Sequence, residues 1–398
     1  MVDDRIAKRN VVVLVLGQMF FGAQMPMLFI FGSLAGAFLA TNPALATLPI
    51  SIMMLTTMFM AGPVSLFMGK YGRRAGFLFG VSMGALGGLI GAWALFEGEF
   101  YMLLIASVFS GMYQSCHGFF RFAAADTASD DFKPKAISWV LAGGLGAALI
   151  GPELGARLHD HFELAPFAGV YLAIAALNLL FAPILLFLNI PLPEKSTDQK
   201  NSEVPVIDIL NRPAVIVAIL CGMVSFALMN LVMTATPLAM QACGFNPETS
   251  ADVVRWHVIA MFGPSFFTGN LIKRFGAPKI IGTGLLLLGA SGVVALSGIE
   301  LLNFYIALIL LGLGWNFGFI GATAFLASIV EPEYRAKVQG FNDFCVFGLV
   351  AFASFSSGGL LSWFGWEAVL MAMPPFLLLA AVGLIWLMGR QKAVPAAH

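Results

Sequence analysis

Within an apolar run at residues 102–125 stand four polar side chains: Ser110, Gln114, His117 and Arg121. Their spacings of four, three and four place them on one stripe of a helix. A hydroxyl, an amide, an imidazole and a guanidinium in register can bind a polar solute by hydrogen bonds. At a rise of about 1.5 Å per residue, Gln114 falls near the middle of such a helix and Arg121 roughly 10 Å nearer its end. If the helix crosses a membrane, an ionisable group at that depth must face protein or a water-filled cavity. The competing reading is that Arg121 snorkels to the headgroups and Gln114 bonds a neighbouring helix.

Among acidic residues, Asp343 is the one best placed inside an apolar stretch, beside Gln339 and Asn342. No carboxylate falls at the middle of any apolar run, which weighs against proton coupling, although His117 or His257 could titrate near neutral pH. Signatures of covalent or nucleotide chemistry are missing. The sequence has no G-x-x-x-x-G-K-[ST] loop, and no HExxH or CxxC. No catalytic residue, metal ligand set or cofactor is expected. Cys116, Cys221, Cys243 and Cys345 are scattered and suggest neither a disulfide framework nor a metal site.

The elements that must position these residues follow from composition. Of 398 residues, 59% are hydrophobic and only 11% charged, too few charges to coat a water-facing surface. At about 20 apolar residues per crossing, the chain could supply up to about twelve spans. Such a composition excludes an ordinary soluble enzyme. A net charge of zero gives no bulk field to attract nucleic acid.

Apolar segments fall at about 11–35, 46–68, 76–96, 102–125, 136–156, 168–192, 213–239, 253–272, 280–299, 303–329, 338–363 and 368–388. In lipid the backbone must satisfy its own hydrogen bonds, so an all-α membrane protein of twelve transmembrane helices is expected. The run that begins near residue 11 continues past Met25 without a small-residue cleavage site, and is read as a retained first span. With both termini cytoplasmic, 19 of the 21 basic residues lie in or beside cytoplasmic segments, leaving only Arg157 and Arg255 outside. No N-x-[ST] acceptor occurs, in keeping with a bacterial inner membrane.

The longest polar stretch, Glu194 to Asp208, has the composition of a flexible linker. It divides the chain into an N-terminal six-helix bundle (1–192), a cytoplasmic linker (193–212) and a C-terminal six-helix bundle (213–398). The bundles repeat each other. At an offset of 204, Lys70 matches Arg274, Tyr71 matches Phe275, Gly72 matches Gly276 and Gly80 matches Gly284. Pseudo-symmetric repeats with a site between them are a transporter architecture.

The run Ser65-x-x-x-Gly69-Lys70-Tyr71-Gly72-Arg73-Arg74 resembles the loop signature of the major facilitator superfamily, G-x-x-x-D-[RK]-x-G-[RK]-[RK]. It matches at Lys70, Gly72, Arg73 and Arg74. It departs at Ser65, and at Gly69 where the family has the Asp of a cytoplasmic charge latch. Twelve spans, the linker and the repeat extend the resemblance over the whole chain.

The resemblance implies a monomeric secondary carrier in the bilayer, working by alternating access on a small-molecule substrate. It implies a site lined by spans one, four, seven and ten, to which Gln18, Gln24, Tyr113, Gln114, His117, Arg121, Asn230, Trp315 and Asn316 would contribute. Amides would bind a neutral polar solute, while Trp315, Tyr113 and nearby phenylalanines would stack on a flat one. It also brings spans four and eleven together at the cytoplasmic gate, where Arg121 and Asp343 would pair across the bundles; the alternative is that each is satisfied within its own half.

Gly143, Ala147, Gly151 and Gly155 form a small-residue stripe suited to close helix packing. Pro26 and Pro237 are candidate hinges. The blocks at Arg121–Ala128, Ala142–Leu154 and Met261–Gly269 resemble a bacterial group that includes riboflavin transporters, which implies riboflavin uptake. A proton-coupled exporter of drugs or metabolites is the alternative on the same fold. A sensor and a membrane-embedded enzyme are the readings from other classes.

Overall fold

The computed structural model describes residues 4–129, 132–191, 205–331 and 334–393. The regular structure in these residues is helical, joined by turns and short loops. Ten stretches are each long and apolar enough to cross a membrane: Arg5–Leu39, Pro43–Tyr71, Arg73–Glu97, Trp139–Leu158, Ala168–Phe187, Pro213–Ala242, Ala277–Leu296, Leu301–Ile329, Lys337–Phe364 and Trp366–Arg390. They correspond to spans one, two, three, five, six, seven, nine, ten, eleven and twelve of the expected series. Spans four and eight are present but interrupted, as Phe100–His117 with Phe120–Asp126, and as Pro247–Phe262 with Ser265–Phe275. The break in span eight has a clear cause. Pro264 follows Gly263, and proline lacks the N–H that would continue the helix's hydrogen bonding, although Gly263 itself keeps helical backbone angles.

Most of the expected linker, residues 193–204, lies outside the described residues. A short helix, Val206–Leu210, leads from it into span seven.

The repeat read from the sequence has a structural counterpart. Gly72 ends span two at φ 88°, and Gly276 ends span eight at φ 86°, a backbone region that only glycine adopts freely. A Cβ on Gly80 would come within 2.5 Å of Cys116 on span four. One on Gly284 would come within 2.3 Å of the Gly318 nitrogen on span ten. Each glycine therefore allows the same close crossing in its own half.

Within the first half, span three packs on spans four and six, span four on span two, and span one on span five. In the second half, span nine packs on span ten and span seven on spans ten, eleven and twelve. Two long seams join the halves, span two against eleven and span five against eight. The small-residue stripe of span five serves packing. Cβ atoms at Gly143, Gly151 and Gly155 would strike the Val15 carbonyl, the Ala23 carbonyl and the Phe31 ring of span one.

Of the two proline hinges, Pro26 lies between a turn at residues 21–23 and a π-helical segment, Leu28–Gly32, so span one is irregular there. Pro237 stands within the unbroken helix Pro213–Ala242.

Candidate functional site

Span four does not carry its polar stripe on one uninterrupted helix. A turn at Gly118 and Phe119 separates Ser110, Gln114 and His117 from Arg121, so the expected four-membered stripe is corrected to three residues on one helix and one on the next. Ser110 sits in a helix crossing. Its Oγ lies 3.0 Å from where a Cβ on Gly87 would stand, in the crossing with span three.

The remaining three share a distinctive state, since each has a buried polar atom without a hydrogen-bond partner: Gln114 Oε1, His117 Nε2 and Arg121 Nε. Buried polar groups are ordinarily satisfied, so three such orphans close together along one segment stand out. His117 is held between the rings of Tyr113 (5.6 Å) and Phe120 (4.8 Å). Arg121 lies over the ring of Phe122 at 4.8 Å. Asp343 acts on Arg121 through space, but the two are not within ion-pair distance. Instead the Asp343 carboxylate accepts from Gln339 Nε2 (3.2 Å) and Asn342 Nδ2 (3.0 Å) on its own helix.

The other expected site residues divide by how far their polar atoms are used. Tyr113 is buried, and its hydroxyl donates to the Phe21 carbonyl at 2.6 Å, tying span four to span one. Asn316 is fully buried and fully engaged. Its Nδ2 donates to the Met261 carbonyl (2.6 Å) and Ser265 Oγ (2.8 Å), and its Oδ1 accepts from Thr268 Oγ1 (2.6 Å). These contacts straddle the break at Gly263–Pro264, so Asn316 splints span eight rather than offering an open amide.

Gln24 Oε1 accepts from Asn178 Nδ2 at 2.9 Å, leaving Gln24 Nε2 orphaned. Asn230 Nδ2 is likewise orphaned, with its Oδ1 reached at 3.4 Å by Thr234. Gln18 is partly buried, and its Cβ lies 2.8 Å from where a Cβ on Gly143 would stand.

Trp315 anchors an aromatic cluster that sequence reasoning anticipated only in outline. Its ring stacks on Phe319 (5.3 Å, 22°) and meets Phe226 (5.5 Å) and Phe262 (6.0 Å) edge-on. The indole Nε1 has no partner. Phe262 carries the cluster across the seam, since its ring lies within 3.2 Å of where a Cβ on Gly144 of span five would stand. A π-helical segment, Asn316–Ile320, begins just after Trp315. Such bulges re-aim side chains and cluster at functional sites.

An apolar groove of about 210 Å³ lies elsewhere, between spans seven, eleven and twelve. Leu228, Leu231, Phe352 and Phe376 line it, and none of the expected site residues does.

The sequence reading missed a polar cluster at the face opposite the basic loops. There Arg255 Nη2 of span eight bonds Glu153 Oε2 of span five at 2.7 Å, while its Nη1 bonds Asp252 at 2.8 Å. Arg157 also holds Glu153, and Thr47 Oγ1 donates to the Ser354 carbonyl at 2.8 Å. The hydrogen bonds Thr47–Ser354 and Arg255–Glu153 and the His159–Glu248 contact all join the halves at this face. One signal was available. Arg157 and Arg255 are the two basic residues that the charge distribution left away from the basic loops.

Comparison with known proteins decides the family. The model of the Major Facilitator Superfamily matches residues 11–263 and 219–397. The chain belongs to the major facilitator superfamily. It is therefore a multi-pass secondary membrane transporter, of a transporter family rather than an enzyme family. It is similar to the riboflavin transporter RfnT of Brucella anthropi, at 42% identity over 97% of each chain. It is also similar to the uncharacterized MFS-type transporter YddS of Bacillus subtilis, at 28% identity over 90% of this chain and 85% of that one. Among solved structures it shares the superfamily fold with a point mutant of the nucleoside transporter NupG (TM-score 0.73, 15% identity, 96% of this chain and 99% of the other).

Proposed function

We propose that this chain takes up riboflavin across a bacterial cytoplasmic membrane by alternating access, with the two bundles, 1–192 and 213–398, rocking about a site between them. The carrying observation is the Trp315 cluster, in which stacked aromatic rings and an unpartnered indole N–H occur together at the seam. An isoalloxazine ring offers a flat face for such rings and carbonyl oxygens for such a donor. Gln114, His117, Gln24 and Asn230 each add an orphaned amide or imidazole atom, and hydroxyls of a ribityl chain pair with these without any countercharge. The full-length likeness to a riboflavin transporter supports the same solute.

Orientation follows from charge. The loops rich in Lys and Arg face the cytoplasm, with both termini on that side. The joined face is then the outer one, and the conformation is closed to the outside. Arg121 and Asp343 belong to opposite halves near the cytoplasmic face and stand unpaired in this conformation. They form the inner gate, pairing when the cytoplasmic side shuts.

Counterflow of labelled riboflavin in proteoliposomes, with and without a pH gradient, tests the reading. Saturable exchange independent of the gradient is expected. Exchange that requires the gradient would favour a proton-coupled exporter, and no exchange would remove riboflavin as the solute.

A further inference from the structure

At the joined face, His159 and Asp160 follow span five of the first half, while Glu248 lies in the first turn of span eight of the second. The ligating atoms of these three residues lie within 4.8 Å of one another. His159 is 8% exposed, and its ring is fixed by three contacts. Phe31 and Phe167 pack on it at 5.9 and 6.2 Å, and its Nδ1 lies 2.9 Å from the Ala156 carbonyl. The backbone is also committed. Phe167 is the one non-glycine with positive φ (68°) among the described residues, and its amide donates to the His159 carbonyl.

A carbonyl oxygen only accepts, so His159 Nδ1 must carry the hydrogen, and in the neutral ring Nε2 is left as a lone pair. That lone pair meets Glu248 Oε1 at 3.5 Å. A carboxylate facing an imidazole nitrogen calls for a positive centre there, either a proton on Nε2 or a metal ion between the two. The separation is long for a hydrogen bond. It is close to the distance of about 3.3 Å between two ligands of a tetrahedral zinc ion with bonds of about 2.0 to 2.1 Å. The hydrogen bond from Nδ1 to a backbone carbonyl is the outer-shell contact that metal-bound histidines ordinarily make. Asp160 and Glu248 are the exposed members; Asp160 Oδ1 lies 3.9 Å from Nδ1 and must turn toward the Nε2 side to reach an ion, while the histidine is prepositioned.

We propose that His159, Asp160 and Glu248 form a binding site for a divalent transition metal such as Zn²⁺, made by the two halves together and complete only when they are joined at this face. Imidazole with carboxylates selects zinc over magnesium, which prefers oxygen ligands and retains its water. Because the ligands come from both halves, the ion binds one conformation and shifts the population toward it. External zinc then slows transport by holding the outer face shut.

Titrating ZnCl₂ into the purified full-length chain, followed by isothermal calorimetry and thermal unfolding, needs no substrate and so stands apart from the riboflavin reading. One site per chain is expected, with a raised unfolding temperature, reversal by EDTA and no response to MgCl₂. His159→Gln in one half and Glu248→Gln in the other should each weaken binding at least tenfold. In cells, zinc added outside should slow uptake by the parent chain and not by either variant. Zinc binding unchanged in both variants overturns the proposal, as does the absence of saturable binding. Binding lost in only one variant overturns the shared site. An unaltered unfolding temperature of the metal-free variants excludes misfolding as the cause.

Discussion

Two amides in this protein have the same chemistry and opposite states, and substituting each with leucine should give opposite outcomes. Asn316 makes three side-chain hydrogen bonds that bridge the break in span eight. Interhelical hydrogen bonds in membranes are worth about 0.6 kcal/mol on average and up to about 1.7 each, so Asn316→Leu should cost about 2 to 5 kcal/mol. Gln114 instead has a buried oxygen with no partner. Removing an unsatisfied buried acceptor costs nothing in lost bonds and relieves desolvation, so Gln114→Leu should be neutral or stabilising by up to about 1 kcal/mol. The assay is the unfolding midpoint of purified protein in one detergent, alongside riboflavin affinity. Asn316→Leu should fall clearly in stability. Gln114→Leu should keep its stability and lose affinity. Equal destabilisation by both, or unchanged affinity in Gln114→Leu, would refute the reasoning that orphaned polar atoms mark the solute's place.

Reversing Arg121 or Asp343 alone should abolish counterflow, and Arg121→Asp with Asp343→Arg should restore part of it; a double variant as dead as the singles counts against the inner gate. Glu153→Gln removes two partly exposed ion pairs, of which the one to Arg255 joins the halves and is worth at most about 1 kcal/mol. At about 1.4 kcal/mol per factor of ten, the population open at that face should rise no more than about fivefold, read by thiol labelling from that side. Gly284→Ala sets a Cβ 2.3 Å from the Gly318 nitrogen and should cost about 1 to 3 kcal/mol through backbone displacement, seen as a lower unfolding midpoint. At the basic face, hydrogen bonds from Ser129 hold the Asp4 carboxyl below its ordinary range. A depressed pKa stabilises above the unfolded value and is lost as pH falls through the folded one, so this tie should be intact near neutrality and fail only in acid. Hydrogen exchange around Ser129 at neutral and acidic pH checks it.

The fold was legible because its determinants are local and repeated. Long apolar runs, the charge distribution and glycines at a fixed offset each carry their own structural reason, and Gly72 with Gly276 turned out to share one backbone conformation. What the sequence could not reveal is how polar atoms are used. Asn316 and Asn230 look alike as letters in apolar helices, yet one is saturated by the broken span eight and the other keeps a free Nδ2. That difference depends on neighbours distant along the chain. Spacing alone also failed on span four, where the turn at Gly118 interrupts a stripe that assumed unbroken periodicity. The joined face escaped notice because its carboxylates and arginines sit near helix ends, where charge is unremarkable until partners from the other half are placed beside it.

Flavin fluorescence offers the most direct measurement of the central claim, because stacking on an indole quenches it. Titrating the purified chain into riboflavin should give saturable quenching that Trp315→Leu largely removes while the fold, by circular dichroism, is kept. Quenching of equal depth and affinity in Trp315→Leu, or none in the parent chain, would contradict the account.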